Sequence, residues 1–182
     1  NDGSYKWNVE CNDTSNNIAF ALNNFTFNID TINPLISYAS NSDADGINVS
    51  RSNIFVNVSL TETNFVNITF RLFDSSNSLI NSTTYTTQTL SINFTSLSDG
   101  LYRYNVSIID SASNINTTTT QRITLDTANP NATLVSPSNG TIANNSVQNL
   151  TSNLSDAIEL KNATLYIYNS SDIEINQTTA IL

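Results

Sequence analysis

The chain has 182 residues, of which 38% are hydrophobic and only 12% charged, and its net charge is −9. That is enough apolar material for packed cores, while the lack of any basic stripe excludes nucleic acid and an anionic membrane surface as partners. No apolar run reaches the roughly 18 residues that would suggest a membrane span, and any signal sequence is expected to have been removed or to lie outside these residues.

Taken in chain order, Asp2-Gly-Ser-Tyr-Lys-Trp-Asn-Val9 begins with a tight Asp-Gly turn and continues as a strand with alternating aromatics. Cys11 lies further along the same inward phase. It is the single cysteine, so no intrachain disulfide is possible, and a small buried hydrophobe is expected there. Asp30-Thr-Ile-Asn-Pro34 reads as a linker whose proline sets the exit direction. A strand near Leu35–Tyr38 follows. Period-two runs then come at Ile54–Leu60, Val66–Leu72, Leu79–Tyr85, Leu90–Phe94, Tyr102–Ile108 and Ile123–Leu125. Turn clusters such as Asp74-Ser-Ser-Asn77 and Asp110-Ser-Ala-Ser-Asn114 divide them. No helical periodicity competes.

The chain also repeats itself. Asp2–Val9 recurs as Asp99-Gly-Leu-Tyr-Arg-Tyr-Asn-Val106, Asp30–Pro34 recurs as Asp126-Thr-Ala-Asn-Pro130, and Asn67-Ile-Thr recurs as Asn162-Ala-Thr. The offsets are 97, 96 and 95 residues. About seven short strands in about 100 residues is the count of an immunoglobulin-like sandwich. The expected fold is therefore all-β, a tandem array of such sandwiches of about 96 residues each. Residues 1–33 are the C-terminal part of one unit, 34–129 a complete unit, and 130–182 the N-terminal part of a further one. In such a sandwich a tyrosine near the start of strand F bonds back across its corner, and Tyr5 and Tyr102 stand at that place. Trp7 and Tyr104 occupy the position that antibody domains give to cysteine.

These motifs resemble those of tandem immunoglobulin-like repeats in prokaryotic, particularly archaeal, cell-surface proteins. The resemblance rests on the Gly-x-Tyr-x-(Trp/Tyr)-Asn-Val strand and the Asp-Thr-x-x-Pro linker, each present twice. It covers essentially the whole chain and implies an extracellular setting. Asn33 and Asn129 stand where alanine is usual before the proline.

Asn, Ser and Thr number 31, 25 and 24, and they form 17 Asn-x-Ser/Thr acceptor motifs. These are at Asn12, Asn24, Asn48, Asn57, Asn67, Asn81, Asn93, Asn105, Asn116, Asn131, Asn139, Asn144, Asn149, Asn153, Asn162, Asn169 and Asn176. Random order of this composition would give about eight. Those within strands fall on the outward phase, so N-linked glycans are expected on both sheet faces.

Catalytic equipment is not expected. The chain has no His, which removes the commonest general base and metal ligand, and its serines lack a partner base. Asn41-Ser-Asp-Ala-Asp-Gly46 matches the opening of a calcium loop, with Asn41, Asp43 and Asp45 as ligands, although Ser52 stands where the bidentate Glu belongs. No other cofactor is indicated. Asp30 and Asp126, near the Asp13 and Asp110 loops, could form junction cation sites, but the facing loops are rich in Ser and Asn, which favours a plain strand end. An intramolecular isopeptide link is not expected, because Lys6 lies on the outward phase.

The function expected is that of a heavily glycosylated extracellular filament, stalk or surface-layer element. It either continues in a longer chain or self-associates head to tail, with residues 130–182 of one copy completed by residues 1–33 of the next. The alternatives are an adhesin or carbohydrate-binding module, with Phe65, Phe73, Tyr166 and Tyr168 as candidate contacts, and spacer domains of an extracellular enzyme.

Overall fold

Alternating apolar and polar residues become strand along the whole chain. The structure is a computed structural model that describes residues 1–182, and it contains no helix. In chain order the strands are β1 (Gly3–Trp7), β2 (Glu10–Asn12), β3 (Ile18–Phe20), β4 (Phe25–Ile29), β5 (Leu35–Tyr38), β6 (Ile47–Val49), β7 (Ile54–Thr61), β8 (Phe65–Phe73) and β9 (Leu79–Tyr85). Then come β10 (Ser91–Phe94), β11 (Gly100–Asp110), β12 (Ile115–Thr117), β13 (Gln121–Leu125), β14 (Asn131–Ser136), β15 (Thr151–Ser155), β16 (Asn162–Tyr168) and β17 (Glu174–Ile181). Contacts divide the chain into two units. The first holds Asn1–Ile47, Asn53–Thr95 and Leu101–Ile123; the second holds Asn48–Ser52, Ser96–Gly100 and Thr124–Leu182.

The core is a β-sandwich. One sheet has the order β10-β7-β5 and the other β6-β13-β11-β8-β9, with β12 added to β11. Nine strand segments thus stand where about seven were expected, because β6 and β12 are extra three-residue pieces. Ile54, Val56 and Val58 of β7 meet Ile68, Phe70 and Leu72 of β8 and Tyr104, Val106 and Ile108 of β11, all essentially without solvent contact. The strand phases place every one of these on the inner face. Two tyrosine hydroxyls enter this core with partners. Tyr38 accepts from Thr118 Oγ1 at 2.9 Å and lies 2.9 Å from the Thr119 carbonyl, while Tyr104 reaches the Asp43 carbonyl and Gln121. Burial pushes the Tyr38 phenol up to about 12 and raises that of Tyr104 as well.

The first unit also contains the hairpins β1–β4 and β2–β3. Their register copies that of the sandwich: Glu10, Cys11 and Asn12 pair with Phe20, Ala19 and Ile18, as Ser107, Ile108 and Ile109 pair with Thr117, Asn116 and Ile115, every residue 97 positions on. The Tyr5 hydroxyl donates to the Asn1 carbonyl at 2.6 Å, closing the strand corner. Gly3 and Gly100 have φ of 150° and 142°, a region that side chains avoid, and this is why both turns use Asp-Gly. The inner face of this hairpin set is open, however. Trp7 is 52% exposed, whereas its counterpart Tyr104 is fully buried. The buried thiol expected at Cys11 is accordingly corrected: Cys11 is exposed, because the face it shares with Trp7 and Val9 is uncovered.

In the second unit β14 pairs with β15 and β16 with β17. Ala163, Thr164, Leu165, Tyr166 and Ile167 face Ala180, Thr179, Thr178, Gln177 and Asn176. Residues 68–72 face 85–81 in the same way, 95 positions earlier, and both ladders carry an irregularity at the same place. Even a side-chain bond recurs, Thr69 Oγ1 with Thr84 Oγ1 at 2.9 Å and Thr164 Oγ1 with Thr179 Oγ1 at 2.8 Å. Here too the inner face is open, with Leu165 42% exposed against the fully buried Phe70.

Candidate functional site

Three carboxylates meet in the first unit. Asp30 follows the end of β4, Glu62 follows the end of β7, and Asp110 ends β11. Their oxygens all lie within 4.8 Å of one another, a spacing that one divalent cation could bridge. Asp110 is formed by a local turn: its Oδ1 accepts the N–H groups of Ala112 and Asn114 at 2.9 and 2.8 Å, and its Oδ2 accepts Asn114 Nδ2 at 2.8 Å. Burial by itself would raise the Asp110 pKa, but the Asn114 side chain and the turn's N–H groups outweigh it and hold the carboxyl below its usual range. The same turn recurs at Asp13, where Ser15 and Asn17 donate to Oδ1. There the Asn17 side chain is the leading cause of a lowered carboxyl pKa. Asp30 is fixed by Asn64 Nδ2 at 2.8 Å on its Oδ2, and Asn114 Nδ2 donates to its carbonyl at 3.2 Å. Glu62 accepts the Asn64 N–H at 2.6 Å.

Sequence reasoning named Asp30 and Asp110 but missed Glu62. The facing loops are rich in Ser and Asn, and a lone Glu just past the end of a strand carries no motif. Only the pairing of β7 with β5, which begins beside the Asp30 linker, brings it in. A groove of about 850 Å³ runs beside the cluster, with Ile29, Ile32, Leu35 and Thr61 in its walls.

The calcium-loop residues are held differently. Asn41 Oδ1 accepts Asn57 Nδ2 at 2.6 Å, Asp43 Oδ2 accepts the Phe55 N–H at 2.7 Å, and Asp45 Oδ1 accepts the Arg122 N–H at 2.7 Å. Each oxygen thus has its own partner, two on β7 and one on β13, and together they brace the Asn41–Gly46 turn against these strands.

None of the 17 acceptor asparagines is buried. Asn57 and Asn93 lie on the β10-β7-β5 sheet, and Asn67 and Asn105 on the larger sheet. A glycan bonds to Nδ2, and this atom is engaged at three half-buried sites. Asn57 donates to Asn41 as above, Asn105 to Thr120 Oγ1 at 3.2 Å, and Asn116 to the Pro34 carbonyl at 2.9 Å. Among the aromatics, Tyr166 and Tyr168 are exposed and stacked, with ring centroids 6.3 Å apart and planes at 21°. Phe65 and Phe73 are half-buried. No helix of the structure is long and apolar enough to cross a membrane.

No protein-family model matches the chain, and no curated protein sequence matches it. Among solved structures it is similar to an engineered protein at 16% identity, over 50% of this chain and 20% of that one, with a TM-score of 0.39. It is similar to dimeric latent PorU from Porphyromonas gingivalis at 14% identity, over 69% of this chain and 12% of that one, with a TM-score of 0.38. Fibronectin(III)-like modules of CbhA from Clostridium thermocellum align at 14% identity over 81% of this chain and 79% of theirs, with a TM-score of 0.39. The chain spans a fifth or less of the first two proteins.

Proposed function

We propose that the chain is a non-enzymatic structural element of an extracellular tandem array of β-sandwiches, coated with N-linked glycans. The observation that carries this reading is the placement of the acceptor asparagines: all 17 lie outside the core, and they populate the outer faces of both sheets. The recurrence of strand registers at offsets of 95 and 97 residues supports the array. The repeated Gly-x-Tyr strand and Asp-Thr-x-x-Pro linker support its likeness to prokaryotic surface repeats. Rigid sandwiches joined by short proline linkers add length without catalytic machinery. A coat of sugar on both faces shields Asn-rich strands from proteases and leaves only loops and domain ends for recognition.

Glycopeptide mapping of the chain made in an N-glycosylating host tests this. Sugar is expected at most exposed acceptors, such as Asn48, Asn81 and Asn93. It is expected least at Asn57, Asn105 and Asn116, where Nδ2 is already bonded within the fold. An unmodified chain would overturn the coat. The stacked, exposed pair Tyr166–Tyr168 favours a second reading, a carbohydrate-binding module. Retention on polysaccharide that is lost in Tyr166→Ala would put that reading first.

A further inference from the structure

The chain is acidic overall, yet one surface of the central sandwich carries the opposite sign. The strands of its larger sheet contain three bases, Arg71, Arg103 and Arg122, and a single acid, Asp110, which is buried. Half of the six basic side chains thus belong to one sheet of a protein whose net charge is −9. Alternation puts all three on the outer face. Arg71 stands between Phe70 and Leu72, Arg103 between Tyr102 and Tyr104, and Arg122 before Ile123, and these neighbours are core residues.

Far apart in sequence, the three arginines are gathered by strand pairing. In the β8–β11 ladder Arg71 faces Asn105 and Phe73 faces Arg103, so the two arginines are diagonal neighbours on adjacent strands. On the other side of β11 lies β13. The Thr118 N–H bonds to the Val106 carbonyl and Thr120 Oγ1 accepts Asn105 Nδ2, which brings Arg122, two residues on, beside Arg103. Strands lie about 4.8 Å apart, so the charges form a strip about 10 Å wide across the sheet.

The contacts of these guanidiniums hold them without neutralising them. Arg71 Nη1 donates to Ser107 Oγ at 2.7 Å, and Arg103 Nη1 to the carbonyls of Asp74 and Ser75 at 3.3 and 2.8 Å, all uncharged acceptors. Arg122 Nε lies 3.9 Å from Asp45 Oδ1, an exposed and therefore weak pair whose oxygen already accepts the Arg122 N–H. Each contact uses one nitrogen of a fork that carries further donors.

We propose that this strip binds the carboxylates of an acidic polysaccharide. Arginine pairs with a carboxylate through parallel N–H bonds, which fix the ligand's orientation as well as match its charge. Ser82 faces Arg71, and Thr120 is exposed beside Arg122, so hydroxyls flank the charges and suit a hydroxyl-rich chain. A peptide fits less well, because β8, β11 and β13 are interior strands and offer no free edge for strand addition. Polyphosphates and anionic membranes present dense charge that a chain of net −9 repels. The acceptor inside the strip, Asn105, has its Nδ2 bonded to Thr120, so the sugar coat is interrupted here.

Unglycosylated chain tests the strip apart from the coat, with polygalacturonate as the probe and neutral dextran as its control. Retention on polygalacturonate alone is expected at low salt, and added salt should weaken it. Arg71→Gln combined with Arg122→Gln should raise the Kd about tenfold. Lys6→Gln combined with Lys161→Gln removes the same charge elsewhere and should change the Kd by less than about twofold. The unmodified chain supplies a second measurement that needs no variant to fold. On titration with a galacturonate oligomer, the amide NMR signals of β8, β11 and β13 should shift while those of β5, β7 and β10 stay. Four results would each overturn the proposal: no retention at low salt, equal retention on dextran, equal losses in the two double variants, or shifts confined to the smaller sheet.

Discussion

Phe70, Tyr104 and Asp110 show three different ways in which single residues hold the central sandwich. Phe70 is fully buried between the sheets, so Phe70→Ala removes both transfer energy and packing. A loss of about 3–5 kcal/mol is expected, read from urea unfolding. The tyrosines act through burial of a neutral phenol. The Tyr38 pKa is raised from 10.0 to about 12, so its stabilising contribution is complete below pH 10.0 and is lost as pH rises through the folded value. Alkaline unfolding tracked by phenolate absorbance should show this loss between about pH 10 and 12 in the native chain and a smaller one in Tyr38→Phe, where Tyr104 alone remains raised by burial. Asp110 and Asp13 have the opposite sign. Their carboxyls lie below the ordinary value of 3.8, so the turn bonds stabilise fully above that value and fail as pH falls through the lower folded one. Asp110→Ala should therefore lower the thermal midpoint at neutral pH and differ much less from the native chain in strong acid.

At the scale of elements, each strand was readable because its inward and outward residues differ in kind. Ile54–Leu60 and Tyr102–Ile108 announced themselves by alternation, and β7 and β11 span them. The three-residue strands β6 and β12 did not, since so short a run has no period to detect. The carboxylate cluster was half legible for a related reason. Asp30 and Asp110 sit in repeated motifs, whereas Glu62 joins them only through the pairing of β7 with β5. Three like charges within 4.8 Å repel one another in the absence of a cation. Glu62→Gln keeps the oxygen that accepts from Asn64 and removes one charge, so in metal-free, low-salt buffer it should raise the thermal midpoint. Added salt should shrink the gain. Differential scanning measurements at two ionic strengths check both.

Across the whole molecule, stability is expected to be uneven. Residues buried on two faces are confined to the central sandwich, while the strands of residues 1–33 and 130–182 leave their inner faces exposed. Hydrogen exchange should therefore protect the amides of β7, β8 and β11 most strongly and those of β2, β3 and β14 least.

The Gly-x-Tyr strands by themselves determined an all-β chain with sandwich strands, since alternation, Asp-Gly turns and recurrent spacing are local and survive without knowledge of neighbours. Only the tertiary structure decided which inward faces are covered. Ile108 and Cys11 occupy equivalent strand positions, yet one is sealed and the other exposed. Burial depends on an opposing sheet, and no local pattern encodes whether that sheet is present.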